Sequence, residues 1–352
     1  MPPDITRWRL RNQRLSGGRF ARPEDVVSWL GAVQAQEYAD SKWALALRSR
    51  RTTDAAIERA LTKGAILRTH VLRPTWHFVA AADIRWLLEL TGPRVSARMA
   101  PYNRHLELDA SVFRRSRNAI VRALRGGVQL TRQELKAVLR KAGIRADSVQ
   151  RLAHIVMQAE LDAVICSGAR RDNQFTYALL DERAPTSKPR PRDDALAELT
   201  RRYFRSHGPA QVADFVWWSG LTTADARRGL EMIERDFVSD VIDGRTYWIS
   251  GSAVRGSEEP SAHLLGLYDE YLIAYKDRSA ALDRSRWARA ALDSFSAPIL
   301  VNGQVVGGWR RFNRKGETEI SLTPFGKLSR KDAAAVAAAA QSYAGFFGVE
   351  LV

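Results

Sequence analysis

One order of elements can be read three times along this chain, and it constrains the fold more than any other feature. Residues 109–181 run as a helix (Ser111–Leu124), a Gly126-Gly127 turn, a short helix after Thr131 and a longer helix from Ser148. Two strand-like segments, Ala163–Ser167 and Gln174–Leu180, then flank a polar turn. Residues 195–250 repeat that order: a helix over Ala195–Ser206, the turn His207-Gly208-Pro209, a helix over Val212–Ser219, and a third opened by Thr222 with Asp225 three residues on, the spacing of a capping box. Phe237–Ile242 and Thr246–Ile249 follow around Asp243-Gly244, the chain's strongest short hairpin signal. The N-terminus fits the same plan, with helices expected at Arg7–Leu15, Glu24–Val33, Ser41–Leu47 and Asp54–Thr62, then strands at Ile66–Leu72 and Thr75–Val79. Helices closed by a two-stranded wing are the pattern of a winged helix-turn-helix.

The expectation is therefore an α+β protein of three tandem winged helices with a C-terminal β-rich subdomain. The expected divisions are 1–82, 83–181 (a connecting helix and the second module), a linker at 182–194, 195–252, and 253–352. The linker is marked by three prolines and alternating charges in Ala184–Asp194. In the last division Ile299–Val301, Gln304–Phe312 and Thr318–Leu322 read as strands, with a closing helix at Lys331–Tyr343.

Charge is distributed unevenly. Residues 1–150 hold 28 Lys and Arg against 13 Asp and Glu, a net of +15, while residues 151–352 hold 27 against 26. Only 9 of the 55 basic residues are Lys, which fits codon bias, but codon bias trades Arg for Lys and creates no net charge. A polyanion, nucleic acid above all, is the natural partner. The single cysteine, Cys166, excludes an intrachain disulfide, a multi-cysteine zinc site and a cysteine-ligated iron–sulfur cluster. No stretch is long and apolar enough to span a membrane and no apolar leader is evident, so a cytoplasmic, nucleoid-associated protein without membrane contact is expected.

Nucleotide-binding glycine loops and nucleophile elbows are absent, and the six histidines show no metal-ligand spacing, so neither metal nor cofactor is expected. His70 and His77 face one another across a hairpin at most. The tryptophans, Trp217 and Trp218 among them, read as core. The segment that stands out is Gly31-Ala-Val-Gln34-Ala-Gln36-Glu37-Tyr-Ala-Asp40-Ser-Lys42-Trp43: two glutamines around one small residue at the end of an amphipathic helix. On residues alone, a solvated helix terminus accounts for it at least as well as a site.

Val33–Glu37 resembles the Gln–apolar–Gln signature of the AlkZ-like winged-helix DNA glycosylases. Four further stretches are similar, in order: Leu72-Arg-Pro-Thr75-Trp-His77-Phe-Val79; Gly208-Pro-Ala-Gln-Val-Ala-Asp214-Phe with Trp217-Trp-Ser-Gly-Leu; Leu267-Tyr-Asp269-Glu270-Tyr271; and Val301-Asn-Gly-Gln-Val-Val-Gly307. The related YcaQ branch carries Asp for the second glutamine, so Gln36 points to the AlkZ branch. Trp76 is bulky where relatives vary.

The resemblance implies three winged helices in a C-shaped, DNA-binding channel. It also implies hydrolysis of the N-glycosidic bond of bulky N7-alkylated purines, including unhooking of interstrand crosslinks, with Gln34 and Gln36 catalytic. An N7-alkylated base is cationic and leaves as a neutral molecule, so the reaction needs a placed water and stabilisation of an oxocarbenium-like sugar rather than a strong base. Glu37, His77, Asp269 and Glu270 are candidate supporting groups, each with an ordinary structural role as the alternative. Lys42 is expected to contact phosphate or to stand in solvent rather than act as a Schiff-base nucleophile, which predicts a monofunctional enzyme. Arg310, Arg311, Arg314 and Lys315 are expected on a DNA-contacting hairpin tip. The expected partner is double-stranded DNA carrying alkylated bases, bound by a monomer in an open channel with both glutamines exposed. A non-catalytic winged-helix regulator or architectural DNA-binding protein is the competing reading, in which the glutamine pair is incidental.

Overall fold

The structure is a computed structural model that describes residues 4–184, 186, 188–250, 261–290, 292–293, 295–314 and 317–350, and for 313, 314, 317 and 318 the backbone alone. Helix α1 (Ile5–Asn12) is capped by Asp4, whose carboxylate accepts from the Thr6 and Arg7 amides. It precedes a first unit of α2 (Pro23–Leu30), β1 (Val33–Gln34), α3 (Tyr38–Leu47), α4 (Asp54–Thr62), β2 (Ile66–Val71) and β3 (Arg73–Ala80), with strand order β1-β3-β2. The 22-residue helix α5 (Ile84–His105) leads to a second unit: α6 (Ala110–Leu124), β4 (Leu130–Thr131), α7 (Arg132–Lys141), α8 (Val149–Leu161), β5 (Ile165–Ser167) and β6 (Thr176–Leu179), order β4-β6-β5. The short α9 (Leu180–Arg183) follows. A third unit has α10 (Arg192–His207), α11 (Val212–Ser219), α12 (Thr223–Ile233), β7 (Phe237–Ile242) and β8 (Arg245–Ser250), and its first strand shrinks to one bridge, Ala210 to Trp248.

Local chemistry explains the repetition. Thr131 with Glu134 and Thr222 with Asp225 form capping boxes that satisfy amides at the starts of α7 and α12. Gly220, at φ +69°, ends α11, and a Cβ there would sit 2.2 Å from the Leu72 carbonyl oxygen, so the third unit presses against the turn between β2 and β3. The expected helix over Glu24–Val33 stops instead at Leu30, because Gly31 takes φ +84° and releases the chain into β1.

The C-terminal part holds β9 (Ala262–Leu264), α13 (Glu270–Ile273), α14 (Arg284–Arg289), β10 (Ala297–Val301), β11 (Gln304–Arg314) and β12 (Glu317–Pro324), order β12-β11-β10-β9, and α15 (Arg330–Phe347). The cores cut across the divisions expected from the sequence. One apolar cluster joins Val26, Leu30, Val33 and Trp43 of the first unit to Leu264, Ile299, Trp309 and Tyr343 of the last. A second joins Val71, Leu72 and Leu87 to Tyr203, Phe215 and Trp218, and the second unit keeps a core of its own. The Trp43 indole donates to the Leu264 carbonyl at 2.6 Å and the Trp309 indole to that of Leu265 at 2.8 Å, so the junction is hydrogen-bonded as well as apolar. Trp218 is fully buried, whereas Trp217 is 43% exposed, with its indole N–H donating to the Ile273 carbonyl. No described helix is long and apolar enough to cross a membrane.

Three buried histidines give the fold an acid-sensitive side. Burial is the main cause that pushes His77 well below its ordinary value, lowers His207, and brings His263 down to about 4. Each is neutral when folded and takes up its proton more readily when unfolded. Their contribution to stability is therefore fully present above about pH 6.5 and is lost as the pH drops, with the His263 loss growing down to about 4. Thermal melts between pH 8 and 4 are expected to show this decline, with a shallower slope in His263→Gln.

Candidate active site

Short as it is, β1 controls the site. Val33 and Ala35 face the core, fully buried, and the alternation of an extended chain turns Gln34 to the other side. Gln34 pairs with His77 of β3, and the next pairing step is the Ala35 amide donating to the Trp76 carbonyl at 2.7 Å. The apolar residue between the glutamines is thus a core anchor. Gln36 follows in the bend before α3 and is exposed, while Gln34 is only 7% exposed. The expectation of two exposed glutamines on a helix end is corrected: one is embedded in a strand and one is open to solvent.

Gln34 is held at three points. Its amide N–H donates to Glu270 Oε1 at 2.8 Å. Its carbonyl accepts from the Ser41 hydroxyl at 3.0 Å. Its side-chain Oε1 accepts from Arg73 Nη2 at 2.8 Å. Arginine has only donors, so this contact fixes which end of the side-chain amide is oxygen and leaves Nε2 free to donate elsewhere. A cavity of about 10 Å³ adjoins it, lined by Gln34, Glu37, Asp40, Ser41, Ala44 and Leu267–Asp269. That is the room needed for about one water centre and far too little for a purine.

The carboxylates expected to support the glutamines divide into different roles. Glu37 stands exposed at the N-cap position of α3 without making a capping bond. Glu270 is fully buried. Its Oε1 serves Gln34, its Oε2 accepts from the Trp218 indole at 2.9 Å, and His207 Nε2 lies 3.6 Å away. Asp269 is likewise buried and forms a two-point ion pair with Arg48, at 2.7 and 2.9 Å, while capping α13 through the Tyr271 amide. Arg48 also donates to Gln13 Oε1. His77 is fully buried beside Gln34. Its Nδ1 donates to the Thr75 carbonyl at 3.0 Å, and its Nε2 has no partner among the described residues.

Several other residues matter that sequence reasoning had not singled out. Arg73 was legible only as one letter of the Leu72–Val79 stretch, and Asp40 only as part of the glutamine segment. The Asp40 carboxyl accepts from the Leu267 amide at 2.8 Å, and burial raises its pKa. Gly266 permits this approach, since a Cβ there would lie 2.8 Å from that of Asp40. Tyr268, in the same loop, is held at φ +62° and is 41% exposed. Trp76 lies between the His70 ring, at 4.5 Å, and the Arg68 guanidinium, at 4.2 Å.

The expected phosphate role of Lys42 is corrected. Its ammonium is buried between Asp54 and Glu58, 2.6 Å from each, with no face left for DNA. Arg310 is paired with Asp293 at 2.5 Å and donates to the Ser296 hydroxyl. Arg311 is exposed, donates to the Tyr343 hydroxyl and lies over the Phe347 ring. Arg314 pairs with Glu317 in the β11–β12 register, and Lys315 lies outside the described residues. Among the described residues no group of three potential ligands could hold a metal.

An interstrand DNA cross-link repair glycosylase of Streptomyces sahachiroi is 25% identical over 369 residues, covering 97% of this chain and 95% of that protein. The solved structure of Streptomyces sahachiroi DNA glycosylase AlkZ has the same fold, with a TM-score of 0.81 at 21% identity over 99% of this chain and 98% of that one. The family model described as DNA glycosylase AlkZ-like matches residues 27–346. The chain belongs to the AlkZ-like DNA glycosylase family.

Proposed function

We propose that this enzyme is a monofunctional glycosylase that hydrolyses the N-glycosidic bond of bulky N7-alkylated purines in duplex DNA, including bases tied into interstrand crosslinks. The observation that carries the reading is the fixed amide of Gln34 beside a cavity of about 10 Å³. In this reading a water there accepts from Gln34 Nε2 and donates towards the Glu37 carboxylate, which lines the same cavity. One lone pair is left for the sugar. The glycosidic bond breaks with its electron pair going to the base, which departs neutral. The water oxygen bonds to C1′ and its proton passes to the carboxylate or to solvent. Glu37 also supplies a negative charge near the cation that develops on the sugar. A base too large to enter so small a cavity stays outside it, which suits a lesion that cannot be flipped freely.

In this reading each of the three helical units is a winged helix, and together they form a channel for one duplex bound by a monomer. The β11–β12 hairpin adds a contact through exposed Arg311. Lys42 supports the monofunctional assignment, since an ammonium between two carboxylates is a poor Schiff-base nucleophile.

Duplexes carrying N7-methylguanine and a bulkier N7 adduct test the proposal together. Free base, an intact strand with an abasic site and no borohydride-trapped protein–DNA species are expected. Strand cleavage by β-elimination would overturn the monofunctional part. Tight binding to undamaged duplex without base release from either substrate would favour a non-catalytic DNA-binding protein.

A further inference from the structure

A second concavity, of about 390 Å³, is lined by Leu72, Arg73, Pro74, Arg94, Val95, Ala97, Arg98 and Gly220. Its lining holds three arginines and no carboxylate. Arg94 and Arg98 stand one turn apart on α5, on the same helix face, and both are exposed. Neither guanidinium has a hydrogen-bond or ion-pair partner among the described residues. Like charges at this spacing destabilise a helix slightly. Arg98 is also near enough to Arg73 to depress its pKa further, after burial has done most of the lowering. Arg73 itself donates to Gln34 Oε1 and, at 3.4 Å, to the Trp217 carbonyl.

We propose that this basin seats one backbone phosphate of the bound duplex, gripped by Arg73, Arg94 and Arg98. The assignment rests on the reading of the chain as a DNA-acting enzyme and adds a place for the strand next to the reacting sugar. Arg94 and Arg98, two guanidinium groups without partners among the described residues, line one concavity with Arg73, whose nearby carboxylate Glu270 lies outside that lining, and an oxyanion there matches the geometry of guanidinium forks. Gly220 closes one wall of the basin against the Leu72 carbonyl and the Arg73 side chain, where a Cβ would lie 2.2 and 3.8 Å from them. Occupation by phosphate also offsets the positive charge of Arg73, which otherwise stands one hydrogen bond from the group that faces a developing cation. DNA binding thereby prepares the site electrostatically as well as locating the strand.

The test uses undamaged duplex, so its outcome does not depend on base release. Affinity of the full-length protein is measured between 50 and 200 mM salt for wild type, Arg94→Ala/Arg98→Ala, and a charge-matched control, Arg330→Ala/Lys331→Ala, at the exposed start of α15. Losing one phosphate contact lowers the slope of log affinity against log salt by about 0.9. The double variant's deficit should therefore shrink by about 3.5-fold across that range. Both variants are expected to melt like wild type. An unchanged slope in the double variant, or an equal fall in the control, would overturn the proposal. Inorganic phosphate is the third arm: if it raises the melting temperature of wild type but not of the double variant while the DNA slope stays unchanged, the basin is a free-anion site and not a strand contact. A normal slope change without base release would leave the phosphate assignment standing and remove the catalytic reading alone.

Discussion

Gln34→Ala protein is expected to release alkylated base about 10²–10³ times more slowly than wild type, while folding and binding duplex normally. The magnitude is that of losing one preorganised hydrogen-bonding group from a reacting centre. The fold should survive because Gln34 is anchored by its backbone. The amide still donates to Glu270, the carbonyl still accepts from Ser41, and Ala35 still pairs with Trp76. Only the bond from Arg73 is lost. Single-turnover release at saturating enzyme, with melting temperature and duplex affinity measured alongside, separates chemistry from folding. Gln36→Ala should show a smaller loss in melting temperature still, since that side chain is already in solvent. Base release at the wild-type rate from Gln34→Ala would remove this residue from the reaction.

Asp269→Ala should behave in the opposite way, losing about 3–5 kcal/mol of stability because it strands a buried guanidinium. Arg48 and Asp269 are each almost fully enclosed and meet at two points, and the carboxylate caps α13 besides. For a chain of this size the loss corresponds to a fall of roughly 4–7 °C in melting temperature. Circular dichroism melts read it directly. Asp269→Asn keeps an acceptor for Arg48 and should fall less. If Asp269→Asn melts near wild type and still releases base, the carboxyl group positions the site and takes no part in the chemistry. Full stability in Asp269→Ala with loss of base release would show the reverse.

Much of the architecture is legible from patterning alone. The spans Asp54–Thr62, Val212–Ser219 and Phe237–Ile242 are read as they stand, because their caps and hairpin turn are local signals. The first strand of each unit is not legible: β1 and β4 have two residues each and the third is a single bridge, too short for any period to register. That is why Gln34 reads as a helix end. Gly31 was the available signal, as a glycine closing an apolar helix at positive φ. Lys42 was also recoverable in part. Asp54 and Glu58 lie one helical turn apart, a spacing that presents two acids to one cation. The engagement of Glu270 with Gln34 and of Asp269 with Arg48 spans 236 and 221 residues of sequence. No local pattern encodes contacts of that range, since they follow from how the last sheet shares a core with the first unit.

That shared core has a consequence for when the protein becomes active. Residue 34 emerges from the ribosome early, and residue 270, which holds its backbone, some two hundred residues later. The first half carries nearly all the excess positive charge, so a nascent or prematurely terminated chain already attracts nucleic acid before its glutamine is set in place. On the proposed reading, Gln34 is set for chemistry only once Glu270 has been made, so a fragment that ends before it is expected to attract nucleic acid without releasing base.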